Sequence, residues 1–139
     1  MADRVMETLG ENECLRLIEP GGIGRIAYVG RFGPAVLPVN YRLQGGAIVF
    51  RTAENGPLDE DLRTGIADAD YRVAFEIDEI DLPARRGWSV LVQGPAHHVG
   101  EAELDAARDA GVEPWAPGDR ELFVRIVPSR ITGRRVGPA

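Results

Sequence analysis

The sequence has few of the features that would place it outside the cytoplasm. Its 139 residues include one cysteine, Cys14, so an internal disulfide is excluded and a reducing compartment is expected. The longest apolar runs, such as AIVF and VLV, are too short to cross a bilayer. The N-terminus carries no apolar signal segment. We therefore expect a cytoplasmic protein with no membrane partner, in which Cys14 is a small buried hydrophobe.

Positive charge is also scarce. The 22 Asp and Glu residues outnumber the 16 Lys and Arg residues, which gives a formal net charge of −6. General nucleic-acid binders gain their affinity by neutralising phosphates, so nucleic acid is not an expected partner. A metal site is not expected either, because His97 and His98 are adjacent on a predicted strand and face opposite sides. The segment Gly21-Gly22-Ile23-Gly24 leads into a predicted strand, whereas a dinucleotide-binding loop follows a strand and opens a helix.

The segments that are present predict a mainly β (α+β) fold in a single domain spanning residues 1–139. Apolar alternation and turn signals predict six strands at residues 23–29, 34–43, 47–52, 73–78, 88–98 and 121–127. Helical spacing predicts short helices at residues 11–18 and 101–110, and another that contains Leu58, Leu62 and Ile66. Few, peripheral helices around strands at this spacing favour a closed antiparallel barrel over a doubly wound sheet.

Arg51 and Thr52, at the end of a predicted strand, are the residues that point to a ligand. Arginine donates a planar fork of hydrogen bonds suited to phosphate, and the hydroxyl adds one more. A helix beginning after the next turn would add backbone N–H groups. Taken alone, a strand-end arginine is more often solvated or ion-paired. The acids that follow, Asp59, Glu60 and Asp61, would repel an anion unless they face solvent.

Five segments in order resemble the pyridoxamine 5′-phosphate oxidase-like family of flavin-binding split β-barrels, and more narrowly its small actinobacterial-type members. They are PVNY, IVFRTA, VAFEIDEID, GWSVLVQG and ITGRR, at residues 38–41, 48–53, 73–81, 87–94 and 131–135. The resemblance implies a six-stranded antiparallel split β-barrel with short peripheral helices. It also implies a homodimer, with FMN sites between the subunits and a small-molecule substrate. In such a dimer we expect the two-fold interface to cover the strand around Val90 and Val92.

The resemblance also implies which residues hold the cofactor. Val39, Asn40 and Tyr41 would lie along the isoalloxazine ring, mostly through backbone groups. Arg51 and Thr52 would contact the phosphate.

Four further residues complete the implied site. Trp88 and Ser89 would approach the flavin from the partner subunit, and Arg134 and Arg135 would form a basic segment near the cofactor. The family commonly has a lysine on the phosphate where this chain has Pro57, which offers neither a charge nor an N–H.

Three functions follow from the resemblance. The first is a flavin-dependent oxidoreductase, in which the flavin carries hydride and no side chain is identified as a general acid or base. The second is a non-catalytic dimeric barrel that binds a flavin or another planar ligand, or that has lost its cofactor. The third is a reductase that uses a deazaflavin coenzyme, whose acidic tail would suit Arg134 and Arg135.

Overall fold

The computed structural model describes residues 3–53, 56–62, 71–115 and 122–138, which form eight strands and three helices. The strands are β1 (Arg4–Leu9), β2 (Gly22–Gly30), β3 (Gly33–Gln44), β4 (Ala47–Thr52), β5 (Tyr71–Asp81), β6 (Arg86–His98), β7 (Leu122–Ile126) and β8 (Arg130–Pro138). The helices are α1 (Glu11–Ile18), α2 (Pro57–Asp61) and α3 (Glu101–Asp109). No helix in these ranges is long and apolar enough to cross a membrane.

Six of the strands close into an antiparallel barrel, as the sequence predicts. Their order is β6-β5-β2-β3-β4-β7, and a pairing between β7 and β6 completes the ring. Ala96 on β6 lies opposite Ile126 on β7 at this closure. The helices around the barrel are short and peripheral, so the fold is mainly β.

The barrel is split because β6 has three partners. Its last residues, from Ala96 to His98, pair with β7, whereas the stretch from Gly87 to Gln93 pairs with β8. Residues Gly133 to Pro138 of β8 in turn pair with the whole length of β1. These two outer strands correct the sequence interpretation, which took the C-terminal segment as a basic tail and assigned no strand before α1.

The core lies inside the ring and is built around stacked aromatic rings. Phe75 lies with its ring centroid 6.1 Å from Phe50 and 5.4 Å from Tyr41, where it meets the second ring edge-on. Its ring also covers Gly24, where an added Cβ would come within 2.1 Å of Phe75 Cε1. Gly24 is therefore a packing glycine, because any side chain there would displace the central ring of the core.

Val90 and Val92 are fully buried within one chain. They face the barrel interior, so a two-fold interface is not needed to cover their side of β6. This corrects the sequence-based argument for a dimer, which assumed that this face of β6 is exposed and apolar in a single chain.

Helix α1 packs against β8, and its residues Cys14 and Ile18 are fully buried. At Gly133 on β8 an added Cβ would come within 2.5 Å of Cys14 Sγ, so the glycine lets the thiol approach the strand. Burial raises the pKa of the Cys14 thiol. The interpretation of Cys14 as a buried hydrophobe is confirmed.

The other two helices differ in how well the sequence predicts them. Helix α3 packs Ala107 against Val49 and Phe123 on the outside of the barrel and matches the prediction closely. Helix α2 is a single turn from Pro57 to Asp61. Ile66, the third residue of the predicted helical stripe, lies outside the described residues.

Candidate functional site

Four of the nine predicted cofactor residues line one cavity, which we call the β3–β4 cavity. Its volume is about 350 Å³, and the four residues are Val39, Asn40, Arg51 and Thr52. Apolar side chains form most of the remaining wall: Leu37, Pro38, Leu58 and Pro114, with Pro57 and Tyr28 beside them. The cavity therefore joins the strand-end pair to the segment of β3 that the sequence indicates for a planar ring.

Arg51 and Thr52 reach this cavity from opposite faces of β4. Thr52 is buried and shares the interior face with Phe50. Arg51 shares the outer face with Val49, and its guanidinium carbon lies 5.2 Å from the centroid of the Phe123 ring. Successive strand residues point to opposite sides, so the two donors flank the cavity rather than standing side by side.

A segment after α3 forms one side of the cavity, and we call this segment, residues 112–115, the strap. At one end Arg51 Nη1 donates to the carbonyl oxygen of Val112 at 3.4 Å. At the other end the backbone N–H of Trp115 donates to Asn40 Oδ1 at 2.9 Å. Two predicted cofactor residues thus hold the strap, with Pro114 between them at the cavity wall. Sequence reasoning missed the strap, because its partners are far away along the chain.

Helix α2 forms another wall through Pro57 and Leu58. Pro57 occupies the first helical turn, where it has no N–H to offer an anion, and the helix is five residues long. The predicted contribution of a helix N-terminus to the site is therefore small. The place where the family commonly has a lysine does lie on the cavity.

The acids of α2 are turned away from the cavity wherever their side chains are described. Asp59 is buried, with Oδ1 2.6 Å from His98 Nε2 on β6. Glu60 pairs with Arg31, with 3.2 Å between Oε2 and Nη1. Neither acid lines the cavity, and each has a cationic or histidine partner elsewhere. The side chain of Asp61 lies outside the described set.

Trp88 and Arg135 line a second concave surface, which we call the β6–β8 groove, with a volume of about 860 Å³. Its floor is a row across four strands in which Glu79, Trp88, Arg135 and Glu7 are successive cross-strand neighbours. Arg135 lies 3.5 Å from the Glu7 carboxylate and 3.1 Å from that of Glu13 on α1. Two carboxylates already balance its charge, so Arg135 ties α1 and β1 to β8.

The remaining three predicted residues lie outside both concave surfaces. Tyr41 is buried in the core, where its phenol donates to the carbonyl oxygen of Ile18 at 2.8 Å and burial raises its pKa to about 12. Ser89 and Arg134 are cross-strand neighbours on the outer face of β6 and β8. Neither residue lines the β3–β4 cavity.

The two histidines point to opposite sides of β6, as the sequence predicts. His97 Nε2 lies 4.0 Å from Glu103 on α3, whereas His98 meets Asp59 on α2. Among the described residues, no group of three or more His, Cys, Asp or Glu side chains is arranged to hold a metal ion.

A carboxyl pair lies on the outer face of β5, opposite the core face that carries Phe75 and Ile77. Arg25 Nη1 lies 3.4 Å from Glu76 Oε1 and 3.6 Å from Asp78 Oδ2. Burial raises the pKa of Glu76 to about 7, helped by the hydrogen bond and the charge of Asp78 and opposed by Arg25. This pair is separate from the β3–β4 cavity and lies on the outer surface of the sheet.

The β3–β4 cavity has the size and lining of a small-molecule binding site. Binding cavities for small molecules typically measure roughly 300–1,000 Å³ and combine apolar walls with a few polar groups. Here proline, leucine and valine side chains form the walls, while Asn40, Arg51 and Thr52 supply the polar groups. A guanidinium and a hydroxyl at one end suit a phosphate, and the apolar walls suit a ring.

The sequence and the fold are similar to those of known proteins. The family model described as pyridoxamine 5′-phosphate oxidase matches residues 10–135. The uncharacterized protein Rv0080 of Mycobacterium tuberculosis is 32% identical over 133 residues, which cover 96% of this chain and 87% of that protein. A solved structure described as the FAD binding protein from Mycobacterium smegmatis is 33% identical, with a TM-score of 0.79, covering 96% of this chain and 100% of the other. The solved structure of an FAD-binding protein from Mesorhizobium loti shares the fold, with 23% identity and a TM-score of 0.75. The match covers 97% of this chain and 99% of that protein.

Proposed function

Because the chain belongs to the pyridoxamine 5′-phosphate oxidase family, we propose that it binds a phosphorylated flavin and acts as a flavin-dependent oxidoreductase on a small molecule. The observation that carries this proposal is the β3–β4 cavity, in which Arg51 and Thr52 flank one end of a largely apolar space. The relative from Mycobacterium smegmatis, described as FAD-binding and 33% identical, supports a flavin as the ligand. FMN is the smallest flavin with the required phosphate.

Different residues of the cavity would contact different parts of the flavin. Val39 and the proline and leucine walls would exclude water from the flat faces of the ring. Asn40 would present its side-chain amide to the polar edge, and Arg51 and Thr52 would donate to the phosphate. A flavin bound in this way supplies hydride-transfer chemistry of its own. The protein's part is to orient it and to keep solvent away.

We propose in addition that the working unit is a homodimer. The β3–β4 cavity and the β6–β8 groove share no residue, and we infer that Trp88 contacts a flavin in the cavity from a second copy. Val29 and Val36, which are 60% and 66% exposed on neighbouring strands β2 and β3, give the barrel an apolar outer surface for such a contact. Sedimentation at micromolar concentration should give twice the chain mass of 15.1 kDa. A monomer at that concentration would contradict the dimer.

A non-catalytic flavin-binding role is the second candidate, and Pro57 favours it. The proline lies on the cavity wall where a lysine would add a charge to the phosphate, so binding is expected to be weaker than in relatives that keep the lysine. A weakly held flavin lowers the occupied fraction at a given concentration. The deazaflavin alternative gains less support, because its acidic tail would have to compete with Glu7 and Glu13 for Arg135.

The absorbance spectrum of the purified protein, followed by titration of the stripped protein with flavin, tests the proposal. We expect the bands of oxidised flavin in the preparation or, for the weak site, their perturbation when FMN or FAD is added. Stoichiometric reduction of the bound flavin by a reductant, and its reoxidation, would support the oxidoreductase over the non-catalytic role. A colourless protein that ignores riboflavin, FMN and FAD would overturn both.

A further inference from the structure

Arg51 lines the β3–β4 cavity and also a second cavity on the outside of the barrel. This second cavity measures about 290 Å³ and is lined by Arg51, Arg108, Val112 and Phe123. We call it the Arg108 cavity. Because Arg51 lines both cavities, its guanidinium can contact ligand groups in either one.

The Arg108 cavity has the composition of an anion site. Two of its four lining residues are arginines, and the other two, Val112 and Phe123, are largely buried against α3. Arg108 lies in the last turn of α3, with a side chain that is 62% exposed. Its ion pair with Asp105 spans 3.9 Å to a fully exposed carboxylate, so solvent screens it and the guanidinium can turn to a stronger acceptor at little cost.

We propose that Arg108, together with Arg51, binds the second phosphate of a dinucleotide flavin. The inference rests on the proposed function and narrows the ligand from any phosphorylated flavin to one with two phosphates in pyrophosphate linkage, such as FAD. The first phosphate would lie at Arg51 and Thr52, and the second would lie in the Arg108 cavity. The two arginines would then share a pyrophosphate, with charge-assisted hydrogen bonds to its oxygens.

The net negative charge of the chain makes the pair of arginines important for binding an anion. With a net charge of −6, the protein repels a multiply charged anion at long range, so its affinity for the anion must come from paired arginines at short range. The nearby exposed acid, Asp105, would weaken the site through charge repulsion but lies on the solvent side of α3. A second phosphate contact would also offset part of what the chain loses by having Pro57 on the cavity wall.

Titration of riboflavin, FMN and FAD against the wild type, Arg108→Gln and Arg108→Lys tests the proposal. The matched control is Arg16→Gln, since Arg16 is an exposed helical arginine on α1 that pairs with an acid three residues away, Glu13. We expect the wild type to bind FAD about tenfold more tightly than FMN, equivalent to about 1.4 kcal/mol. Arg108→Gln should remove that preference and leave FMN affinity unchanged, Arg108→Lys should keep most of it, and Arg16→Gln should alter neither affinity.

The salt dependence separates the phosphate from the adenine as the source of the preference. If the second phosphate is responsible, the advantage of FAD over FMN should shrink as ionic strength rises, because salt screens exposed charge pairs. Equal affinities for FMN and FAD, or an FAD preference that survives Arg108→Gln, would overturn the second phosphate site and leave the flavin proposal standing. Failure of the wild type to bind any of the three flavins would overturn both.

Discussion

His98 Nε2 lies 2.6 Å from Asp59 Oδ1, which joins β6 to the short helix α2. Asp59 is almost completely buried, whereas the His98 side chain is 35% exposed. The two residues next to Asp59 on its N-terminal side, Pro57 and Leu58, line the β3–β4 cavity. The pair therefore holds the α2 wall of the candidate site in place. It also gives Asp59 a partner on β6, whereas the sequence alone suggested that this acid would repel the ligand.

We expect His98→Ala to destabilise the protein by about 1–3 kcal/mol, because it removes a hydrogen-bonding partner from a buried carboxylate. Urea denaturation measures the change. His97→Ala is the matched control, since its imidazole lies 4.0 Å from the exposed Glu103 and its loss should cost under about 0.5 kcal/mol. Equal effects of the two substitutions would show that the contact with Asp59 contributes nothing.

The two tryptophans of the chain should respond differently to flavin. Trp115 donates its backbone N–H to Asn40, a residue of the β3–β4 cavity, so flavin bound there should quench Trp115 emission in the Trp88→Phe variant. Trp88 lies in the separate β6–β8 groove, so its emission in the Trp115→Phe variant should be quenched only where the dimer is populated. Unchanged Trp115 emission at saturating flavin would place the ligand elsewhere. Trp115 therefore cannot serve as an inert internal reference for Trp88.

The pKa of Glu76 predicts a pH-dependent difference in stability. Its folded-state value of about 7 exceeds the ordinary value of 4.5, so the folded chain holds this proton more tightly than the unfolded chain. The resulting contribution to stability is fully present below about pH 4.5 and is lost as the pH rises through about 7. Because the side chain is 36% exposed, we discount the effect to on the order of 1 kcal/mol.

Glu76→Gln should therefore gain stability relative to the wild type between about pH 5 and about pH 8, measured by urea denaturation. Glu79→Gln, at an exposed glutamate on the same strand, is the control and should show no such gain. A Glu76→Gln difference that stays constant across that range would contradict the assigned pKa.

Replacing Pro57 with lysine should strengthen the phosphate end of the cavity. Position 57 lies on the cavity wall, so an ammonium group there can form a charge-assisted hydrogen bond, worth roughly tenfold in affinity for FMN. Riboflavin, which has no phosphate, should bind as before. Pro20→Lys adds the same charge in the turn after α1, and it should leave both affinities unchanged. A gain in riboflavin affinity equal to that for FMN would mean that the lysine does not act on the phosphate.

The barrel strands were predictable because most have a buried face: in β2, β5 and β6 buried residues recur at every second position, and in β4 burial gives a short apolar run. Strand β1 has no such face, since five of its six residues are exposed. Strand β8 alternates weakly, with Gly133 and Gly137 among its arginines. Both strands exist because β6 extends beyond the ring and offers an edge for pairing, which no local pattern reveals.

The candidate site likewise depends partly on local strand geometry and partly on contacts between residues far apart in the sequence. That Arg51 and Thr52 face opposite sides follows from strand geometry alone and could have been predicted. The contact between Trp115 and Asn40 joins residues 75 apart, and that between His98 and Asp59 joins residues 39 apart. These contacts depend on how α2 and the strap pack on the barrel, so no spacing rule predicts them.

The measurement that tests the flavin-phosphate site most directly is the affinity of FMN relative to riboflavin in the wild type and in Arg51→Ala. We expect the wild type to bind FMN at least about tenfold more tightly than riboflavin, and Arg51→Ala to abolish that preference while riboflavin affinity holds. Arg42→Ala is the control, because Arg42 donates to the carbonyl oxygen of Pro20 at 3.0 Å and lines neither concave surface. An FMN preference that persists undiminished in Arg51→Ala would contradict the phosphate site on which the proposed function rests.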